Sequence, residues 1–117
     1  MLNYKFEPDH YTPNLPDSIQ LGDVAGIAVD RADNVYLFNR SNNPIVVLDP
    51  SGNLLRTWGH NLFKNPHGAH IGFDNYIYLT DNGDHTVRKF TLDGRLLLEI
   101  GVPGRSSAFM SGLPFNC

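Results

Sequence analysis

Apolar residues in the middle of this chain come in short runs separated by turn-forming residues. The runs are rich in Val, Ile, Leu, Tyr and Phe, and none shows the spacing of an amphipathic helix. Runs of this length and composition, bounded by Gly, Pro, Asn and Asp, predict β-strands. Eight strands are predicted, at Ala25–Asp30, Asn34–Asn39, Pro44–Asp49, Asn53–Trp58, Gly68–Phe73, Tyr76–Asp81, Thr86–Thr91 and Arg95–Ile100.

The links between these strands suit tight turns. Three of them read "RAD", "PSG" and "LDG", and the last two end in Gly52 and Gly94. Glycine at the last position of such a turn supplies a positive φ that other residues resist. The pattern therefore favours an all-β fold of short strands joined by tight turns.

A repeat relates the first four predicted strands to the second four. When the chain is compared with itself at an offset of 42 residues, identities appear without any gap, and Asn39 also matches Asp81 conservatively. A period of about 40 residues with four strands per unit is typical of a β-propeller blade. The alternative is a small β-sandwich in which the similarity is coincidental. The identical pairs are Gly26/Gly68, Tyr36/Tyr78, Leu37/Leu79, Gly52/Gly94, Leu54/Leu96, Leu55/Leu97 and Gly59/Gly101.

The repeat divides the chain into four parts. Residues 1–23 form a Pro-rich lead-in, residues 24–59 and 60–101 form two blades, and residues 102–117 form a loop toward a further blade. One interpretation of the lead-in is that it closes a neighbouring blade. Propellers need about four to eight blades to close, so two blades alone are expected to leave both outer faces bare. Either the chain is a fragment of a longer protein, or three copies form a six-bladed ring.

Composition and charge give no indication that the chain binds nucleic acid or an anionic membrane. The net charge is −3, the pI is near 5.9, and nine Lys and Arg are scattered along 117 residues, so we expect neither nucleic acid nor a membrane surface as a partner. The first residues contain no apolar stretch like that of a secretory signal, and a cytoplasmic protein is the default expectation. The single cysteine, Cys117, excludes a disulfide framework or a thiolate zinc cluster within one chain.

Three histidines in the second repeat are candidates for chemistry. His67, in "NPHGAHIG", lies just before the predicted innermost strand, where histidines of successive blades could hold zinc; a loop or packing role is the alternative. His70 is three residues further on, so it should face the other side of the strand and serve a structural role. His85 follows "DNGD", which lacks the spacing of an EF-hand, and is expected to form hydrogen bonds within its turn.

Two further residues have predicted roles. Arg40, in "LFNRSNNP", ends the second predicted strand and is either a surface residue or a carboxylate-binding group at the channel mouth. Trp58, in "RTWG", is expected to pack between blades. No Ser-His-Asp order, phosphate-binding loop or paired carboxylates stand out in the sequence.

The quoted motifs resemble a known family. "GIAVDRADNVYLFNRSNNPIVVLDPSGNLLRTWG" and the following "NLFKNPHGAHIGFDNYIYLTDNGDHTVRKFTLDG" are similar to NHL repeats, and specifically to peptidyl-α-hydroxyglycine α-amidating lyases and their bacterial relatives. The motifs "FNR", "NLF" with "PHG", and "TD" with "HTVRKF" carry the resemblance. It covers about residues 20–116 and about the first third of that family's six-bladed propeller.

The resemblance implies a zinc lyase that cleaves a C-terminal α-hydroxyglycine peptide into a peptide amide and glyoxylate. It implies His67 as a zinc ligand and Arg40 as an active-site residue. It also implies that the main-chain carbonyls of Ile27 and Ala69, which the 42-residue offset pairs independently, bind calcium. The family's two other zinc histidines, its active-site tyrosine and its calcium-binding aspartate lie in later blades. The isolated chain is therefore expected to be inactive.

Three hypotheses follow for function. The chain is part of an amidating-lyase-like propeller, or a non-enzymatic NHL-repeat scaffold that binds a peptide or protein on its propeller face, or a two-blade chain that self-associates to complete the ring. A peptide substrate or protein partner is expected in the first two. Further histidines and a tyrosine of the family's type in later blades would favour the enzyme.

Overall fold

Two antiparallel four-stranded sheets make up the chain in the computed structural model, which describes residues 11–105. All eight predicted strands are present, within two residues of their predicted bounds, and the described residues contain no helix, so the all-β prediction is confirmed. Each sheet is a meander in which consecutive strands pair. The first blade contains β1 (Val24–Val29), β2 (Val35–Asn39), β3 (Ile45–Leu48) and β4 (Leu54–Trp58); the second contains β5 (Pro66–Ile71), β6 (Ile77–Asp81), β7 (Thr86–Phe90) and β8 (Leu96–Ile100).

The two blades share their irregularities as well as their strands. The register of β1 against β2 shifts between Val24 and Gly26, and that of β5 against β6 shifts at the equivalent Pro66 and Gly68. The third strand of each blade has a second shift against the fourth, again at equivalent positions. Bulges that recur at the same offset show that the repeat extends to backbone geometry, since a bulge bends its strand and redirects side chains.

The turns form as the sequence predicts. Gly52 and Gly94 have φ values of 90° and 101°, which glycine adopts without steric cost. In the turn that follows β1, one carboxylate oxygen of Asp30 accepts the backbone N–H groups of Ala32 and Asn34. Asp49 does the same for Ser51 and Asn53 after β3. These local hydrogen bonds fix the short links that hold consecutive strands in register.

The main core lies between the blades. Tyr36, Phe38, Ile45 and Val47 of the first blade are fully buried against the second blade. The aromatic rings of Phe38 and Phe63 meet edge to face with their centroids 4.8 Å apart, a favourable geometry for an aromatic pair. Trp58 also packs here, which confirms its predicted place between blades. The side chains from the second blade are Ile77, Leu79 and Phe90, with Ala69, Ile71 and Leu92 at the edge.

A second, smaller core lies on the opposite face of the first blade. Leu37, Val46 and Leu48 are buried there, and three residues of the lead-in cover them. The expectation that both outer faces stay bare is therefore wrong for the first blade. This face is covered because the lead-in places apolar side chains on it and so removes its apolar surface from water. The covering residues are Leu15, Ile19 and Leu21.

Two parts of the chain lie outside the described residues, 1–10 and 106–117. They include Cys117 and most of the predicted loop toward a further blade. No helix within residues 11–105 is long and apolar enough to span a membrane.

Candidate functional site

Arg40 reaches from the first blade to the start of the second. It follows β2 directly, and its backbone N–H donates to the carbonyl oxygen of Asp23 at 2.9 Å. Its side-chain Nε donates to the carbonyl oxygen of Pro66 at 3.1 Å. The side chain is exposed, and within residues 11–105 its terminal nitrogens have no assigned partner. Among the described residues the guanidinium is thus held by one nitrogen, which leaves its two terminal nitrogens available to an anion.

Two buried polar side chains position the segments that enter each blade. Asn39, the last residue of β2, accepts the backbone N–H of Gly22 at 3.1 Å through its side-chain oxygen. Its equivalent Asp81 accepts the N–H of Lys64 at 2.7 Å and that of Asn65 at 3.0 Å. Sequence reasoning aligned the two residues but assigned them no role. The signal that could have revealed their role is that each is a polar residue at the end of a strand that is mostly apolar, at equivalent positions of the repeat.

A cleft of about 340 Å³ opens between the link that follows β2 and the segment that enters the second blade. Its floor is apolar, formed by Pro44, Phe63 and Pro66, and its rim carries two cations, Arg40 and Lys64. The Nζ of Lys64 also lies 3.4 Å from a carboxylate oxygen of Asp84. Within residues 11–105 no carboxylate lines the cleft, and Arg40 gives it a positive charge that favours a small anion with an apolar attachment. Ser41 and Asn65 complete the lining.

His67 lies beside this cleft on the chain but forms no metal cluster. It is the bulged residue of β5, directly after Pro66, and its side chain is exposed. No group of three or more His, Cys, Asp or Glu side chains that could hold a metal occurs among residues 11–105. A catalytic zinc site needs three protein ligands, so His67 can supply at most one of them and these residues alone do not fit zinc.

The main chains of the two predicted calcium residues run close together. β1 and β5 pack against each other, and a Cβ added to Gly26 would lie 2.7 Å from the backbone nitrogen of Ala69. Ile27 is next to this point on β1 and its side chain is 59% exposed. Calcium takes six to eight oxygen ligands, so two carbonyls from these strands would form only a part of its shell.

The other histidines lie elsewhere. His70 is exposed on the outward face of the second blade, in register with Tyr78. His85 has a positive φ of 59°, and its buried Nδ1 has no hydrogen-bond partner within residues 11–105. The sequence predicts that the His85 side chain forms hydrogen bonds within its turn, and Nδ1 forms none there. The turn is held by Asp81 instead, which accepts the N–H groups of Gly83 and Asp84, each at 3.0 Å.

Comparison with known proteins shows two kinds of relative. The mouse NHL repeat-containing protein 3 is 30% identical over a match that covers 77% of this chain and 28% of that protein. The Drosophila melanogaster peptidyl-alpha-hydroxyglycine alpha-amidating lyase 1 is 28% identical, over 73% of this chain and 21% of that protein. The rat peptidylglycine alpha-amidating monooxygenase is 29% identical, over 66% and 11%. No family model matches the chain.

The matched region is only a small part of each relative's length. This chain spans 28% of the mouse protein and 21% of the Drosophila protein. The names of these relatives do not agree on one activity, since one kind is named for its repeat and the other for its reaction.

Proposed function

Because this chain belongs to the NHL-repeat family, we propose that the cleft at Arg40 forms part of a site of the amidating-lyase type. The supporting observation is the hydrogen bond from Arg40 Nε to the carbonyl oxygen of Pro66, the residue before His67. It links Arg40 in the first blade to the residue that precedes His67 in the second, and the family resemblance gives functional roles to Arg40 and His67. The Drosophila and rat relatives support the same reading by their names.

The proposed substrate is a peptide that ends in α-hydroxyglycine. Its carboxylate fits a cleft at which Arg40 presents the outer end of its guanidinium, with Lys64, which also pairs with Asp84, beside it. The preceding residue fits the apolar floor of Phe63 and Pro66. In the reaction the bond between the amide nitrogen and the hydroxylated carbon breaks. The hydroxyl loses its proton, the amide nitrogen gains one, and the products are a peptide amide and glyoxylate.

The role proposed for Arg40 is to bind and orient the carboxylate. Orientation of a substrate against its reacting groups lowers the barrier by removing rotational freedom before the reaction. We propose His67 as one zinc ligand, and the carbonyls of Ile27 and Ala69 as calcium ligands. Zinc at His67 would need further protein ligands from outside residues 11–105, since these residues hold no group of three or more His, Cys, Asp or Glu side chains that could hold a metal ion. Calcium takes six to eight oxygen ligands, so the two carbonyls would be a part of its shell.

The experiment is a titration of the chain with a synthetic peptide that ends in α-hydroxyglycine, followed by NMR. We expect weak binding that Arg40→Ala abolishes. The matched control is Arg31→Ala, which removes the same charge from the turn after β1, where the side chain contacts the carbonyl oxygen of Phe73 instead. Equal binding by the two variants would overturn the proposal, as would binding that does not need the terminal carboxylate.

The second candidate function is a scaffold that binds a peptide or protein without reaction. The kinship to the mouse NHL repeat-containing protein 3 favours it. The two functions separate in one assay, in which the peptide is offered to a protein that carries this chain together with further blades. Glyoxylate release that depends on Arg40 and His67 supports the lyase. Binding of a peptide amide as tightly as the α-hydroxyglycine peptide, with no glyoxylate, supports the scaffold.

A further inference from the structure

The turn that follows β6 contains a chemically labile pair of residues. Asn82 is the only asparagine in the sequence that is followed directly by glycine, Gly83. Asparagine is a thermolabile residue because its side-chain amide can be lost, and glycine has no side chain to hinder its own backbone nitrogen. Asn82 is half-buried and Gly83 is exposed, so water reaches the pair. The pair therefore has the residue types and the solvent access that deamidation requires.

Deamidation at such a pair is a reaction of the chain with itself. The backbone nitrogen of Gly83 attacks the side-chain amide carbon of Asn82, and a nitrogen–carbon bond forms. The bond from that carbon to the side-chain nitrogen breaks, and ammonia leaves with the proton of the Gly83 nitrogen. Water then opens the cyclic imide at one of its two carbonyl groups, which leaves aspartate or isoaspartate at this position.

Hydrogen bonds to neighbouring residues hold both reacting groups. The N–H of Gly83 donates to Asp81 Oδ1 at 3.0 Å. The side-chain oxygen of Asn82 accepts from Nδ2 of Asn65, and the backbone N–H of Asn82 donates to the carbonyl oxygen of Asn65 at 3.2 Å. The attack requires that both groups leave these partners. The rate of deamidation should therefore follow the population of a locally opened turn.

Close packing explains why glycine occupies position 83. A Cβ on Gly83 would lie 2.9 Å from the Cβ of Asn65, 3.0 Å from the Cβ of Lys64 and 3.1 Å from the backbone nitrogen of Asn65. The segment that enters the second blade thus leaves no room for a side chain here. The close approach that joins the turn to this segment also creates the labile pair.

From these observations we propose that Asn82 is a site of deamidation in the folded chain, and that its contacts with Asn65 set the rate. Water is the only other reactant, and the proposal is independent of the lyase chemistry. The aspartate product keeps an oxygen that can accept from Asn65. Isoaspartate instead routes the main chain through the side-chain carbon, which lengthens the backbone and moves Gly83 away from Asp81.

The experiment incubates the folded chain in mildly alkaline buffer and follows each asparagine by peptide mapping with mass spectrometry. We expect Asn82 to show the mass increase of an amide converted to an acid before any other asparagine does. Asn65→Ala removes one hydrogen bond to the reacting amide, so deamidation at Asn82 should become about two- to tenfold faster. If the alanine variant does not fold, Asn65→Leu, which also lacks a donor, should give the same acceleration. Asn82→Gln should abolish the modification over the same period, because glutamine would have to close a larger ring.

The matched control, Tyr36→Phe, separates local opening of the turn from unfolding of the whole chain. It removes the hydrogen bonds of a buried hydroxyl in the first blade and leaves the turn at Asn82 intact. This variant should react at the wild-type rate. Equal acceleration by Asn65→Ala and Tyr36→Phe would mean that the reaction proceeds only through global unfolding, and the proposal would be wrong. It would also be wrong if Asn65→Ala reacted no faster than the wild type, or if another asparagine reacted first.

The products test the route of the reaction. Attack by the Gly83 nitrogen should give both aspartate and isoaspartate, and an enzyme that methylates isoaspartate detects the second of these. The mass increase distinguishes isoaspartate formed from Asn82 from any formed at Asp93–Gly94, where isomerisation leaves the mass unchanged. Aspartate alone at position 82 would mean direct hydrolysis by water without the Gly83 nitrogen, and would overturn the proposed reaction.

Discussion

The indole ring of Trp58 lies directly over Gly94, so that the last strand of the first blade rests on the final turn of the second. A Cβ on Gly94 would lie 2.8 Å from both Cγ and Cδ2 of Trp58. The same indole is tilted against Phe90, with the ring centroids 5.1 Å apart. Gly94 also has a φ of 101°, a conformation that other residues adopt with strain. Two independent constraints therefore require glycine at this position.

Substitution of Gly94 by alanine should destabilise the chain through both constraints. The added methyl group must displace Trp58 from the interface, and we expect a loss of about 2–4 kcal/mol in the free energy of unfolding. Urea denaturation monitored by Trp58 fluorescence measures it. The control is Gly104→Ala, where φ is also positive at 73° but the nearest atom to the new Cβ is 3.4 Å away at the end of a lysine side chain. Equal losses in the two variants would show that the contact with Trp58 contributes nothing.

The sequence predicts the fold of each blade because its signals are local. The apolar runs and turn residues each depend on a few neighbouring residues, and the 42-residue offset repeats them in the second blade. The structure shows the same repeat, including bulges at equivalent positions of β1 and β5. The lead-in is different, because Leu15, Ile19 and Leu21 have no strand or helix period of their own. The offset pairs Leu21 with Phe63, an interface residue, and this was the clue to its packing role.

The candidate site is less predictable than the blades. Arg40 meets Pro66 through a main-chain oxygen 26 residues away, and no pattern of residue types encodes such a contact. His85 shows the opposite case, in which the sequence suggests an interaction that the structure does not contain. A histidine in a polar turn suggests local hydrogen bonds, but Asp81 accepts the turn's N–H groups, and His85 Nδ1 has no partner in the part of the chain that the structure describes.

Tyr36 links a turn to a neighbouring strand through its hydroxyl. The hydroxyl donates to Asp30 Oδ2 at 3.0 Å and accepts from Arg56 Nη2 at 2.8 Å. Burial, supported by the contact with Asp30 and opposed by Arg56, raises the pKa of Tyr36 to about 12. Tyr36→Phe leaves both partners without this group, so we expect a loss of about 1–2 kcal/mol in unfolding free energy.

The repeat supplies the control for this prediction. Tyr78 is the equivalent residue, and its hydroxyl donates to Asp74 at an exposed site, where water can replace it. Tyr78→Phe should therefore cost less than Tyr36→Phe in the same urea measurement. The reverse order would mean that burial does not decide the value of this hydroxyl. In the wild type, absorbance titration should show Tyr36 ionising only near or above pH 12.

Asp84 should make the stability of the chain depend on pH. Burial raises the pKa of this carboxyl, but the hydrogen bond and charge of Arg88, with those of Lys64, outweigh burial and hold the pKa below its ordinary value. A carboxyl with a lowered pKa stabilises the fold above its unfolded pKa near 4, and this contribution is lost as the pH falls. Asp84→Asn should be less stable than the wild type at pH 7, and the difference should shrink toward pH 2–3.

Urea denaturation of both proteins across this pH range checks the prediction. Arg88 also contacts Glu99 at 2.7 Å and Asp81 at 3.8 Å, so some pH dependence will remain in the variant. The narrowing of the gap is therefore the informative quantity, and not the total loss of stability. A gap that stays constant from pH 7 to pH 2 would mean that the charge of Asp84 does not stabilise the fold.

Asn39 and Asp81 occupy equivalent positions, yet their hydrogen bonds should prevent an exchange of the two residue types. The side-chain nitrogen of Asn39 donates to the carbonyl oxygens of Asn43 at 2.8 Å and Pro44 at 3.2 Å. Asp81 instead accepts backbone N–H groups on both carboxylate oxygens, including Lys64 and Asn65. In Asn39→Asp, a carboxylate oxygen would lie against the carbonyl oxygens of Asn43 and Pro44. In Asp81→Asn, an amide N–H₂ group would lie against backbone N–H donors.

Each of these two exchanges should lower the free energy of unfolding by about 2–3 kcal/mol, because both sites are fully buried and an unpaired buried polar group loses its full solvation. Urea denaturation at pH 7 measures the loss. Asn42→Asp and Asp33→Asn make the same chemical changes at exposed positions and should alter stability by about 0.5 kcal/mol or less. Tolerance of Asn39→Asp at pH 7, with its backbone contacts intact, would contradict the assignment of donor and acceptor at this strand end. The two blades would then share not only their fold but also an interchangeable anchor for the segment that enters each of them.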